Sequence, residues 1–108
     1  MPEQKSLHLP DKYLAQVKSL LRQHIPQADV WAYGSRVRGD FHDASDLDLV
    51  ARFPASVKND IFRLSTLQEA FTESDLPIIV QIVDWDGIPE SFKDEIVSEY
   101  FAVQENAA

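Results

Sequence analysis

Asp46 and Asp48 stand one residue apart in the run Ser45-Asp46-Leu47-Asp48-Leu49-Val50. On a strand, residues two apart point to the same side, with Cα atoms roughly 6.5–7 Å apart. Two carboxylates that close repel unless solvent screens them or a cation lies between them. Mg2+ suits such a pair, because it takes a few carboxylates and completes its shell with water and phosphate oxygens. The bland alternative makes Ser45-Asp46 turn chemistry and Asp48 an ordinary surface residue. Ten residues separate this pair from Gly34-Ser35, which follows the apolar run Val30-Trp31-Ala32-Tyr33. Glycine adopts positive φ and lets a ligand approach its backbone. The first N–H groups of a helical turn starting there would be donors for phosphate oxygens, with the Ser35 hydroxyl beside them. Arg36 and Arg38 would add positive charge, or simply be solvated. Gly34, Ser35, Arg36 and Arg38 are therefore candidate phosphate ligands. Asp46 and Asp48 are candidate metal ligands for a phosphorylated substrate.

The elements that must position these residues follow from periodicity. Leu14, Val17, Leu21 and Ile25 recur at spacings of three and four and predict a helix over residues 11–25, with Pro10-Asp11 at its start and Pro26 ending it. Residues 28–33 read as a strand, and residues 36–38 as a short helical turn stopped by Gly39. Residues 46–53 read as a second strand, with Leu47, Leu49, Ala51 and Phe53 on one face and Asp46, Asp48, Val50 and Arg52 on the other. Pro54 closes it, and Ser56 is the expected N-cap of a helix reaching about residue 72. Residues 77–83 form a third, buried-type strand, and residues 84–87 a turn. Phe92, Ile96, Tyr100 and Val103 predict a last helix over residues 89–103, followed by a frayed tail. The expected fold is α/β (α+β): one small mixed sheet with helices packed against it, in a single domain 1–108 whose core spans about 10–103.

Composition narrows the partners. Hydrophobic residues are 44% of 108, enough for a packed core, and no apolar run is long enough to span a membrane. The N-terminus lacks the basic-then-apolar order of a signal peptide. With no cysteine there are no disulfides or thiolate metal sites, which fits a cytoplasmic protein. Eighteen acidic against ten basic residues give a formal charge of −8, which disfavours duplex nucleic acid. Glu90, Asp94, Glu95, Glu99 and Glu105 crowd the C-terminal quarter, as a solvated face or a docking face for a basic partner.

The combined pattern resembles the minimal nucleotidyltransferases of the DNA polymerase β superfamily. Gly34-Ser35, ten residues, then Asp46-x-Asp48 is similar to that family's signature. Residues 31–39 resemble its "WxFGSRxxG" segment, residues 45–50 its "SDLDL" run, and Val83-Asp84-Trp85 with Ser91-Phe92 its C-terminal "VDW…FR" region, so that the likeness covers roughly residues 10–103. It implies the polymerase-β-like nucleotidyltransferase fold and a Mg2+-dependent (Mn2+ possible) transferase using a nucleoside triphosphate, typically ATP. Gly34 and Ser35 would hold the β- and γ-phosphates, and Asp46 and Asp48 the metal ions, in a two-metal displacement. Many small members are encoded beside a HEPN protein and act as its antitoxin, adding AMP to a tyrosine of that ribonuclease. The implied partner is a protein. A HEPN reading frame with an Arg-x4-His motif in the neighbouring gene would identify it.

One position departs from the family pattern. The family usually carries a third carboxylate in a "VDVVDW" segment, and here Gln81 stands at that place in Val80-Gln81-Ile82-Val83-Asp84-Trp85. An amide coordinates through its carbonyl oxygen but does not serve as a base for the attacking hydroxyl. Asp84, three residues on, points to the opposite face and is expected to cap the following turn. Two readings stay open: an active AMP transferase, and a catalytically impaired nucleotide-binding module that acts by stoichiometric binding to a HEPN partner. A polymerase or a tRNA-end enzyme would need further domains to grip its polymer. His8, His24 and His42 show no ligand spacing, although His42 lies in the loop between the motifs and would be within reach of a nucleotide. Trp31, Trp85 and Phe92 read as core.

Overall fold

A computed structural model describes residues 6–55, 57 and 61–105. The elements in chain order are α1 (Asp11–His24), β1 (Asp29–Tyr33), α2 (Ser35–Arg38), β2 (Leu47–Arg52), α3 (Ile61–Glu73), β3 (Val80–Asp84), a 3-10 turn (Trp85–Gly87), α4 (Glu90–Ser98) and β4 (Phe101–Gln104). They build one mixed sheet in the order β3-β2-β1-β4. β1 runs antiparallel to β2 and to β4, whereas β2 and β3 are parallel. A parallel pair needs a crossover, and α3 supplies it.

Alternation along the strands divides the sheet into two faces. Val30 and Ala32 of β1, Leu47, Leu49 and Ala51 of β2, Val80 and Ile82 of β3 and Val103 of β4 are buried in one cluster with Val17 and Leu21 of α1 and Leu67 and Phe71 of α3. The helical spacing in α1 and the period of two in the strands thus meet in one core. The opposite face carries Trp31, Tyr33, Asp48 and Val50. Val50 and Ile96 of α4 are buried outside the main cluster. Trp31 stacks on Tyr100 at 4.4 Å and meets the edge of Trp85 at 5.6 Å, so these rings pack on one another on this face, half-buried and outside the core cluster expected for Trp31 and Trp85.

Both outer strands have their edges managed. Gln68 on α3 donates to the Val80 carbonyl (2.7 Å) and accepts from the Ile82 N–H (3.0 Å), in place of a further strand. At the other side, the Gln104 amide donates to the carbonyls of Ile25 and Ala28, tying β4 to the α1–β1 connection.

The expected last helix over residues 89–103 is corrected. α4 stops at Ser98, Glu99 is extended (φ −157°, ψ 98°), and the chain returns as β4 along β1. The unpaired edge of β1 wins over helix propagation because it offers backbone partners, with Trp31 opposite Ala102 and Ala32 opposite Phe101. The third strand begins at Val80, not residue 77, and the second at Leu47. The proposed Ser56 cap lies outside the described residues. Asp84 does cap its turn, accepting from the Asp86 N–H at 3.1 Å. Among the described residues no helix is long and apolar enough to cross a membrane.

Candidate active site

β1 ends at Tyr33 and the chain turns at Gly34 with φ +86° and ψ −155°, a conformation essentially restricted to glycine. The Gly34 carbonyl then accepts from the N–H groups of Val37 and Arg38, which starts α2 and leaves the Ser35 and Arg36 amides ahead of the first intrahelical bond. Gly39, at φ +98° and ψ 0°, terminates the turn in the left-handed region. The loop over residues 40–46 leads into β2.

The strand register sets the two motifs side by side. Tyr33 lies directly opposite Asp48 across the β1–β2 pair. A Cβ on Gly34 would come within 2.9 Å of Asp48 Oδ2, so the carboxylate rests against the glycine backbone. On the other side of Asp48, Gln81 is its partner across the parallel β2–β3 pair, on the same sheet face.

A cleft of about 540 Å3 opens over this point. Tyr33, Gly34, Ser35, Arg38 and Asp48 line one side, while Phe92, Glu95, Ile96, Ser98 and Glu99, from α4 and its end, line the other. Tyr33 meets Phe92 edge-on at 5.4 Å and closes the apolar floor between them. Of the candidate residues, then, Gly34, Ser35, Arg38 and Asp48 share the cleft. Asp46 is half-buried at the entry to β2, two residues from Asp48, and Gln81 is exposed and borders the groove along the β3 edge.

Electrostatics mark the same spot. Burial pushes the Asp48 carboxyl above its ordinary range, the nearby charge of Asp46 pushes it further, and Arg38 partly opposes both. Burial and then the Asp48 charge raise the Tyr33 phenol to about 12. Arg38 pairs with Asp40 at 3.4 Å on the surface, with its side chain about half exposed, an ion pair weak enough to exchange for a ligand.

Arg36 has a different place from the one expected. It is only 3% exposed and its guanidinium donates to the backbone carbonyls of His8, Ser45 and Asp43 at 2.8, 3.0 and 3.0 Å, with His42 at 3.5 Å. Those donors are spent on the protein's own loop, and Arg36 does not line the cleft. His42 is likewise turned into loop structure, its Nδ1 accepting from the Ala44 N–H. The α4 wall went unnoticed in the sequence because Phe92 and Ile96 look like any apolar helix stripe. Tyr33 adjoins Gly34, and that adjacency was the available signal.

Among the described residues no group of three or more acidic or histidine side chains is gathered as a metal cage. The carboxylates that could hold an ion here are Asp46 and Asp48. Two hard oxygen donors with mutual repulsion fit an ion that draws its remaining ligands from water and phosphate.

Comparison with known proteins agrees with this geometry. Residues 14–104 match the nucleotidyltransferase domain family. The chain is 40% identical over 99 residues to a probable protein adenylyltransferase MntA of Haemophilus influenzae, covering 92% of this chain and 85% of the relative. A chain in a crystal structure of a toxin–antitoxin with AMP-PNP superposes with a TM-score of 0.69 at 22% identity, covering 87% of this chain and 74% of that one. A chain in the complex of a tri-AMPylated Shewanella oneidensis HEPN toxin with its MNT antitoxin gives 0.65 at 18%, covering 89% and 72%. At these identities the structural matches speak for the fold. The family match spans most of the chain and the curated relative nearly all of it, so this protein is an enzyme of the nucleotidyltransferase domain family, a minimal, MntA-like member with the polymerase-β-like fold.

Proposed function

We propose that the protein transfers AMP from ATP to a hydroxyl of a protein partner, in a Mg2+-dependent reaction (Mn2+ serving as a substitute), and that the partner is a HEPN-type toxin which it silences as antitoxin. The carrying observation is the close approach of the Asp48 carboxylate to the Gly34 turn in the cleft, which sets a backbone suited to phosphate beside a carboxylate suited to a metal ion. The 40% identity to a probable protein adenylyltransferase favours a protein acceptor. So does the formal charge of −8, which repels duplex nucleic acid.

Each residue has a role derived from its place. The Ser35 and Arg36 amides and the Ser35 hydroxyl bind phosphate oxygens, and Gly34 lets them approach. Arg38 leaves Asp40 to offset charge on the triphosphate. Asp46 and Asp48 hold the metal, which when bound neutralises the phosphates and acts as a Lewis acid. Tyr33, Phe92 and Ile96 supply the apolar part of the cleft lining, beside Glu95 and Glu99. The test is incubation with labelled ATP, Mg2+ and the HEPN-type protein encoded beside it. Label should pass to that protein and vanish with Asp48→Ala; label persisting with Asp48→Ala would refute the assignment.

The position of Gln81 favours a second reading, a nucleotide-binding partner with impaired turnover. Gln81 pairs with Asp48 in register but supplies no carboxylate. On that reading the complex forms without transfer, and Gln81→Asp gains activity. A wild-type rate equal to that of Gln81→Asp rejects it.

A further inference from the structure

The buried Arg36 side chain is unused by the chemistry above, yet it donates to four backbone carbonyls beside the site. We infer that Arg36 is a positioning residue that sets the Asp46 loop against α2 by gathering three separate segments around one guanidinium. The first segment is the stretch before α1: His8 and Arg36 bond reciprocally, the His8 N–H donating to the Arg36 carbonyl at 2.8 Å and Arg36 Nη1 donating to the His8 carbonyl at 2.8 Å. The second is α2 itself, which carries the Ser35 hydroxyl and Arg38. The third is the loop entering β2, held at the carbonyls of His42, Asp43 and Ser45. Ser45 directly precedes Asp46.

The geometry gives the guanidinium an organising role that a lysine would not fill. Four of its five N–H donors are taken by carbonyls from two segments distant from each other in sequence, a task for a planar fork and not for a point charge. Phe41 lies 5.4 Å from the guanidinium carbon, and the His8 ring stacks on Phe41 at 5.1 Å. Among the described residues no carboxylate pairs with this buried charge, and carbonyl dipoles and a π-face stand in for water. Such a group tolerates little displacement, because each lost carbonyl leaves a buried charge less satisfied. The loop is also braced within itself, by the His42 N–H on Ser45 Oγ at 2.8 Å and the Ser45 N–H on the His42 carbonyl at 2.9 Å. Arg36 joins that small turn to the rest of the site.

The consequence for function rests on the metal assignment of Asp46 and Asp48; the consequence for structure does not. The test therefore reads both, with Arg36→Lys, Phe41→Leu and, for contrast, Arg38→Gln. By amide hydrogen exchange, Arg36→Lys should speed exchange about tenfold or more at His42, Ala44 and Ser45, with β1 and β2 core amides unchanged. Phe41→Leu should do the same with smaller amplitude. In transfer assays Arg36→Lys should raise the Mg2+ concentration for half-maximal rate several-fold. ATP affinity in EDTA should stay within about twofold, and Arg38→Gln should weaken that metal-free affinity instead. Unchanged loop exchange, or exchange raised equally throughout the sheet, overturns the proposal. Metal-free ATP affinity that falls in Arg36→Lys as in Arg38→Gln also overturns it, since the Arg36 guanidinium would then be a phosphate ligand. Localised loop exchange in all-inactive proteins, wild type included, leaves the positioning inference standing and rejects the transfer reaction.

Discussion

Gly34→Ala should separate the turn's geometry from its chemistry. Alanine at φ +86°, ψ −155° occupies a region costing about 1–3 kcal/mol for a residue with a side chain. Its Cβ would also meet Asp48 Oδ2 at 2.9 Å. The nearest relief is rotation of the carboxylate, so the substitution moves the group that the site depends on. For a domain of this size each kcal/mol corresponds to about 4–8 °C in Tm, giving an expected fall of roughly 5–20 °C. Displacement of Asp48 by about 1 Å should cost on the order of 100-fold in the rate of AMP transfer. Gly39→Ala is the control. It too sits at positive φ (+98°), but its added Cβ meets only His8 Nε2, at 3.6 Å. It should lose about 1–2 kcal/mol and leave Asp48 in place. Melting by circular dichroism and transfer of labelled AMP below both melting temperatures provide the readouts. A Gly34→Ala rate within threefold of wild type would refute the close-approach argument. An equal loss in Gly39→Ala would show that loop order, not the Gly34–Asp48 contact, controls the rate.

Asp48→Asn should abolish transfer yet raise Tm by roughly 2–5 °C at neutral pH, because it removes a half-buried charge facing Asp46. The pH dependence has the matching sign. The folded pKa of Asp48 lies above its unfolded value, so this side chain's stability contribution is fully present below the unfolded pKa and is lost as pH rises through the raised folded one. Wild type should therefore lose stability relative to Asp48→Asn across that window, and melting curves that run parallel from acid to neutral pH would contradict it. Of the three tyrosines, Tyr33 should ionise near pH 12, and the phenolate absorbance appearing there should be missing in Tyr33→Phe. Gln68→Ala should cost about 2–3 kcal/mol and promote association, since it bares the Val80 carbonyl and Ile82 N–H on an edge strand; denaturant melts and light scattering test both.

Much of the scaffold was legible from local pattern. The stripe Leu14, Val17, Leu21 and Ile25 is helical in any context that offers an apolar surface, and α1 forms where that stripe lies. Gly34 and Gly39 were readable because only glycine occupies their dihedral angles comfortably. Asp48 took its expected sheet face because strand alternation leaves no other choice, whereas Asp46 lies one residue before β2.

Contacts between distant segments decided the rest. Residues 99–103 carry no glycine or proline to halt a helix, so nothing local separated α4 from β4; the free edge of β1 did. Arg36 and Arg38 look alike two residues apart. One is buried under carbonyls from residues 8 and 42–45 and the other opens on the cleft, because a four-residue helical turn sends them to different sides. Tyr33 became part of the site through its register with Asp48, and α4 became its opposite wall through packing on a face that one-dimensional periodicity does not distinguish. From the sequence alone came the candidate residues for phosphate and metal. The tertiary structure decided which of them meet, since meeting depends on strand register and buried hydrogen bonds between segments far apart in the chain.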